Sequence, residues 1–188
     1  MQKSKLRALL MAHKIPTTTW GETGTKTIAD LLSEINNGET ILREEKIGGR
    51  KRLVRYVRVC GISVYYRNQE MFLRLREAEQ VFSGGYRRRR DSSYSVSEKI
   101  RARENPRTAA RRALSEELGL VGRDVHMVQG SSFKPPPSES ESFPGLLRKF
   151  TLFSFEAFLS DEQYCPNGYV ENGEDKKTYF VWEEALVH

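Results

Sequence analysis

Leu53 to Tyr66, LVRYVRVCGISVYY, is the stretch that most narrows the folds open to this chain. Its Val, Ile and Tyr side chains are crowded at the β-carbon or ring-bearing, and both kinds favour extended backbone. The run therefore predicts a long strand. Arg67-Asn68-Gln69-Glu70 follows as a turn, and Met71-Phe72-Leu73-Arg74-Leu75 returns as the second arm of a hairpin. Val81-Phe82 then leads into Ser83-Gly84-Gly85.

Further strands are expected over Asp124–Phe133, Arg148–Leu159 and Thr178–Trp182. In the second of these Phe150, Leu152, Ser154, Glu156 and Phe158 share one face. Residues 1–26 read as irregular. Thr27 opens a helix with an acid three residues on, and Ile28, Leu31, Leu32 and Ile35 fall at helical spacing before Asn36-Asn37-Gly38 stops it. Residues 160–177 read as polar loop with turns at Asn167-Gly168 and Asn172-Gly173, and Glu183–Val187 as a short terminal helix. Ser138–Leu147 reads either as the lining of a pocket or as a connector whose Phe143, Leu146 and Leu147 pack on the sheet. The class is α+β with a mixed sheet.

With 188 residues the chain divides, on this reading, into an N-terminal extension over 1–50 and one cored domain over 51–188. No apolar run approaches the ~20 residues of a membrane span. Cys60 and Cys165 stand far apart and suggest no disulfide framework, so a reducing, cytoplasmic setting is expected. The first 20 residues lack acids and carry five basic or His positions, which also gives them some mitochondrial-targeting character. His13, His126 and His188 are scattered, and no zinc spacing exists, so any metal would be a hard ion held by oxygen.

The firmest helix lies between Asn105 and Gly119. Asn105 suits the N-cap, Pro106 the first turn, and Gly119 the stop. Leu114 and Leu118 point to a core, while Glu116 and Glu117 lie on either side of the line through Ala113. Arg112 is placed to pair with Glu116 four residues on. Adjacent carboxylates that are costly to desolvate together invite a divalent cation; a solvated, ordinarily charged helix face fits the spacing as well.

Glu104, Arg112, Leu114, Glu116, Glu117, Gly119 and Leu120, preceded by Gly84-Gly85, resemble the Nudix box, G-x5-E-x7-R-E-U-x-E-E-x-G-U with U aliphatic. The resemblance extends over about residues 50–188. Two positions depart from it. Eighteen residues rather than five separate Gly85 from Glu104, and Ala113 stands where the family has Glu. The resemblance implies an α/β/α sandwich, often dimeric, that uses Mg²⁺ or Mn²⁺ to hydrolyse a nucleoside diphosphate linked to a further group. By position it implies Glu116 and Glu117 as metal ligands, with the Gly85 carbonyl a weaker one, Glu104 as a supporting carboxylate and Arg112 as an orienting group. With Ala113 in the box, a proton acceptor must come from elsewhere. Glu156, on its strand face, and Glu171 or Glu174, in the late loop, are the candidates.

The extra residues before Glu104 are basic. Residues 86–103 hold seven Lys or Arg and two acids, much of the chain's net charge of +6. Three readings stay open for this loop. Arg87, Arg88, Arg89 and Arg90 can bind a polyphosphate or nucleic acid. The loop can be a disordered insertion, or Arg-Asp-Ser-Ser can be a phosphorylation segment. The functional readings are a divergent hydrolase of this type, an inactive module of the same fold that binds nucleotide, RNA or a protein, and a structural subunit docking through the basic loop.

Overall fold

A computed structural model describes residues 1–22, 24–89, 92–121 and 125–185. Strands dominate, as the run at 53–66 requires. They are β1 (Thr40–Ile47), β2 (Arg50–Arg67), β3 (Phe72–Phe82), β4 (Arg87–Arg88), β5 (Val96–Lys99), β6 (His126–Phe133), β7 (Ser138–Glu139), β8 (Leu147–Leu159), β9 (Tyr169–Asn172) and β10 (Lys176–Glu184). The helices are α1 (Lys3–Ala12), α2 (Ile28–Asn36) and α3 (Pro106–Leu118). The fold is α+β with a mixed sheet, in the strand order β6-β8-β2-β3-β10-β9; β1 and β5 pair with β2, β4 with β3 and β7 with β8. No helix among the described residues is long and apolar enough to cross a membrane.

The chain forms two compact units. The first contains residues 1–59, 99–104 and 133–152. The expectation of irregular chain over 1–26 fails here. Leu6 and Leu10 give α1 a buried stripe. The stripe packs with Trp20, Leu31, Leu53, Phe143 and Leu146 into one apolar core. The Trp20 indole donates to the Pro144 carbonyl at 3.0 Å, and its ring meets Phe143 at 5.2 Å between centroids. Phe143 and Leu146 are fully buried, so Ser138–Leu147 serves this core as a connector. Helix α2 starts where expected, with a full capping box between Thr27 and Asp30. Strand β1 pairs with β2 from Thr40↔Val57 to Ile47↔Arg50. The two-residue loop between them, Gly48-Gly49, has φ +58° and +78°, the positive pair that a tight hairpin turn needs.

The second unit contains residues 60–98, 105–132 and 153–188. The expected hairpin forms, with Tyr65↔Arg74 and Arg67↔Phe72 in register. Strand β3 pairs with β10, and β10 with β9, both antiparallel. Two expectations are corrected here. Glu183 and Glu184 lie in β10 rather than in a helix, because pairing with Arg74 and Leu73 extends the strand, while residues 186–188 lie outside the described residues. The stretch 160–177, expected as loop, contains β9, which β10 templates through the Lys177↔Asn172 to Phe180↔Tyr169 pairs. The Asp124 end of the strand expected at 124–133 also lies outside the described residues; the strand is seen from His126.

Candidate active site

Helix α3 carries the acidic pair as its sequence dictates. The Asn105 side chain accepts from the Arg107 N–H at 2.9 Å, Pro106 occupies the first turn, and Gly119 ends the helix at φ +68°. Ala109, Ala110, Ala113, Leu114 and Leu118 are buried beneath it. Glu116 is half exposed, and Arg112 donates to it at 3.0 Å and lies 3.9 Å from Glu98. Arg112 thus takes the partner that its spacing predicts. Glu117 faces inward, into a cavity of about 200 Å³ within the second unit.

Glu77, Glu98, Glu116, Glu117 and Glu171 all line that cavity, facing a single lysine, Lys176. A row of paired residues forms one wall. Glu171 on β9 is in register with Thr178 on β10, Thr178 with Gln80 on β3, and Gln80 with Arg88 on β4. A register shift in β3 places Tyr179 opposite Glu79 but Phe180 opposite Glu77, leaving Ala78 as the extra residue. Strict alternation would turn Glu77 and Gln80 to opposite faces; the bulge brings both to the cavity. Glu98 lies within β5. Its carbonyl accepts the Cys60 thiol at 3.4 Å, and burial pushes that thiol up to about 12.

The electrostatics follow from this crowding. Burial, then the charges of Glu171 and Glu98, push the Glu117 carboxyl up to about 8. Lys176 opposes the shift but is outweighed. Thr178 is almost fully buried, and its hydroxyl has no hydrogen-bond partner among the described residues. A lining of five carboxylates against one lysine among the described residues has the oxygen donors and the surplus negative charge that suit a hard divalent cation. Among the described residues, no three His, Cys, Asp or Glu side chains are grouped so that they could hold such an ion, so the cavity is a charged well rather than a preformed cage.

The other residues singled out in the sequence fall elsewhere. Glu104 belongs to the first unit, where its carboxylate accepts the Arg101 N–H at 2.8 Å and its carbonyl accepts from Arg58. Gly85 sits in a tight turn at φ +78°, its N–H on the Phe82 carbonyl, and does not line the cavity. Glu156 is exposed on β8 and does not line it either, because Phe155, Ala157 and Leu159 take the buried face. Glu174 is exposed beyond β9, whereas Glu171 is in the wall. Arg87 pairs with Glu79 at 3.0 Å, and Arg88 donates to the cavity residue Gln80 at 2.6 Å. Arg89 is exposed, and Arg90 lies outside the described residues. Reading the sequence did not single out Glu77, Gln80, Lys176 or Thr178. Their only signal is cross-strand register.

Ala113 has no exposed surface and stands one turn before Glu117. Ala113→Glu therefore adds a second carboxylate beside one that burial already holds protonated. With chelator present, the substitution is expected to lower unfolding stability by on the order of 2–4 kcal/mol. Chemical denaturation monitored by circular dichroism checks this, and an unchanged midpoint would show that position 113 opens to water.

No protein-family model matches the chain, and no curated protein matches it. Solved structures do resemble it. The Ap4A hydrolase of C. elegans aligns at 12% identity and TM-score 0.40, over 69% of this chain and 80% of that one. DR0079 from Deinococcus radiodurans aligns at 17% identity and TM-score 0.40, over 66% and 65%. The NUDIX domain of Shewanella oneidensis NrtR, solved in complex with ADP ribose, aligns at 10% identity and TM-score 0.39, over 68% and 71%. Likenesses at this level assign neither an activity nor a substrate to this chain.

Proposed function

We propose that the acidic cavity is a Nudix-type hydrolytic site acting on a nucleoside-diphosphate-linked substrate, with Mg²⁺ or Mn²⁺. The observation that carries the reading is the placement of Glu117. It is part-buried among Glu77, Glu98 and Glu171, with its carboxyl raised to about 8. A charge cluster of this kind is unfavourable by itself and becomes favourable once a dication neutralises it. Glu116 and Glu117 would hold the ion from α3. Such an ion, when bound, would supply charge neutralisation for diphosphate oxygens and acidification of water.

The chain's own residues account for the rest. Glu171, on β9 in the cavity wall, is the carboxylate offered as proton acceptor, ahead of exposed Glu156. The Thr178 hydroxyl, lacking a partner among the described residues, is a donor or acceptor available to substrate. Arg88, tied to Gln80, brings positive charge to the cavity's edge. A second reading is a binding module without turnover, and the buried Ala113 in place of an acid favours it.

Turnover decides between the two. Purified protein with Mg²⁺ or Mn²⁺ is offered nucleoside-diphosphate sugars, ADP-ribose, dinucleoside polyphosphates, capped RNA ends and nucleoside triphosphates. Release of a nucleoside monophosphate that Glu171→Gln slows by about a hundredfold supports the hydrolase. Binding without product from any of the panel would leave the module.

A further inference from the structure

The basic segment that is continuous in sequence is divided in space. Arg87 and Arg88 are tied down on β4 in the second unit, whereas Arg101 and Arg103 belong to the first. There they border a groove of about 580 Å³ that lies wholly within the first unit and shares no residue with the acidic cavity. Its apolar lining comes from Ile41, Tyr56, Pro135, Pro137 and Phe150, while Val57 and Ile100 are almost wholly buried beside it. Its rim carries six cations, Arg43, Arg58, Arg101, Arg103, Lys134 and Lys149, of which Lys149 is already paired with Glu45 at 2.5 Å, and one lining carboxylate among the described residues, Glu39.

Two features show that the groove is built rather than incidental. Gly38 sits at φ +73°, and a β-carbon there would lie 2.9 Å from that of Ala102, so only glycine lets residues 100–103 close the wall. Arg103 holds φ +66°, a left-handed conformation that a non-glycine residue adopts only at a cost to the fold. Tyr56 lies in the groove with the Arg43 guanidinium 5.4 Å and the Lys149 ammonium 5.6 Å from its ring centre.

An apolar, Tyr56-bearing lining beneath a cationic rim suits a ligand with a planar apolar part and an anionic part. The Arg43–Tyr56 pair offers a plate for a base, and Arg and Lys at the rim suit phosphate oxygens. We infer that this groove binds a nucleoside phosphate, either a free nucleotide or one unit of a single-stranded nucleic acid. It does so without a divalent ion, which separates it from the site proposed above.

The test uses the full chain in chelator and a fluorescent ADP derivative, read by anisotropy. Adenosine, inorganic phosphate, unlabelled ADP and a single-stranded RNA of about ten nucleotides serve as competitors. Arg103 and Lys134 have exposed side chains, so a double variant, Arg103→Gln with Lys134→Gln, keeps the core intact. It is expected to weaken binding by about tenfold or more with an unchanged circular dichroism spectrum. Tyr56→Leu is expected to weaken ADP competition more than phosphate competition, and Glu117→Gln to change neither. Competition by RNA at or below the ADP concentration, falling steeply with salt, would identify nucleic acid as the source of the ligand; weaker or no competition by RNA would identify the free nucleotide. Undiminished binding in the double variant, binding lost in Glu117→Gln, or no binding of the ADP probe would each overturn the inference. Because no divalent ion and no turnover enter the measurement, its failure leaves the hydrolytic reading to its own assay.

Discussion

Glu34→Ala is expected to destabilise the first unit by about 3–5 kcal/mol, the largest loss from any single side chain in that unit's polar core. Glu34 is 6% exposed and Arg55 5%, and they meet at 2.6 Å. The same Glu34 oxygen accepts the Thr40 hydroxyl at 2.9 Å. The other accepts Lys26 at 2.8 Å and Lys99 at 2.5 Å. One carboxylate therefore organises three cations. Truncating it strands the Arg55 guanidinium, which already has one buried nitrogen without a partner, over the Phe143 ring. Urea unfolding at neutral pH measures the loss. A change below about 1 kcal/mol would mean that the network is worth no more than a surface ion pair.

The pH dependence has a fixed sign. Burial alone raises the Glu34 carboxyl, but Arg55, Lys26 and Lys99 outweigh it and hold it at about 2, below the ordinary 4.5. A depressed folded pKa means the unfolded chain binds the proton first. The contribution is therefore complete above about pH 4.5 and is lost as pH falls toward 2. Glu34→Ala should flatten the stability profile across that window while leaving higher pH parallel to the natural chain. Pairing it with Arg55→Met should recover part of the loss, since it removes the stranded charge.

The elements legible in the sequence are those whose signals are local. The Val and Ile run of β2, the Thr27 capping box and the Asn105–Pro106 start of α3 each need only neighbouring residues. Helix α1 and strand β9 were not legible, because one is fixed by packing on Trp20 and Phe143 and the other by pairing with β10. The same division runs through the cavity. Glu116 and Glu117 could be found because helical spacing puts them together. Glu77 could not, because a bulge at Ala78 sets its face, and no residue in β3 advertises that bulge. Glu171 was legible as an acid and misplaced as loop. The basic segment misled for a related reason: contiguity in sequence suggested one patch, and the fold sends its two ends to different units.

Glu117→Gln is expected to remove turnover by about a hundredfold or more and, independently, to erase a distinctive response of stability to pH and divalent ion. The second effect does not depend on knowing the substrate. Burial first, and then Glu171 and Glu98, raise the Glu117 carboxyl from 4.5 to about 8. Between those values the folded chain keeps a proton that the unfolded chain has released. Stability therefore falls as pH rises from 4.5 toward 8, by an amount on the order of a few kcal/mol, and levels off above. This is the opposite slope to that of Glu34, and the two windows do not overlap. Mg²⁺ or Mn²⁺ in the cavity would favour the ionised form and restore the lost stability at pH 8, more so as concentration rises. Gln keeps the size of the side chain and cannot ionise. The variant should be the more stable protein at pH 8 in chelator, and should gain little from the cation. Thermal unfolding of both proteins across pH 5–9, with chelator and with Mg²⁺, measures the difference. Identical profiles would mean that Glu117 is ionised and hydrated without any cation, and the acidic cavity would then lose its claim to be the place where chemistry occurs.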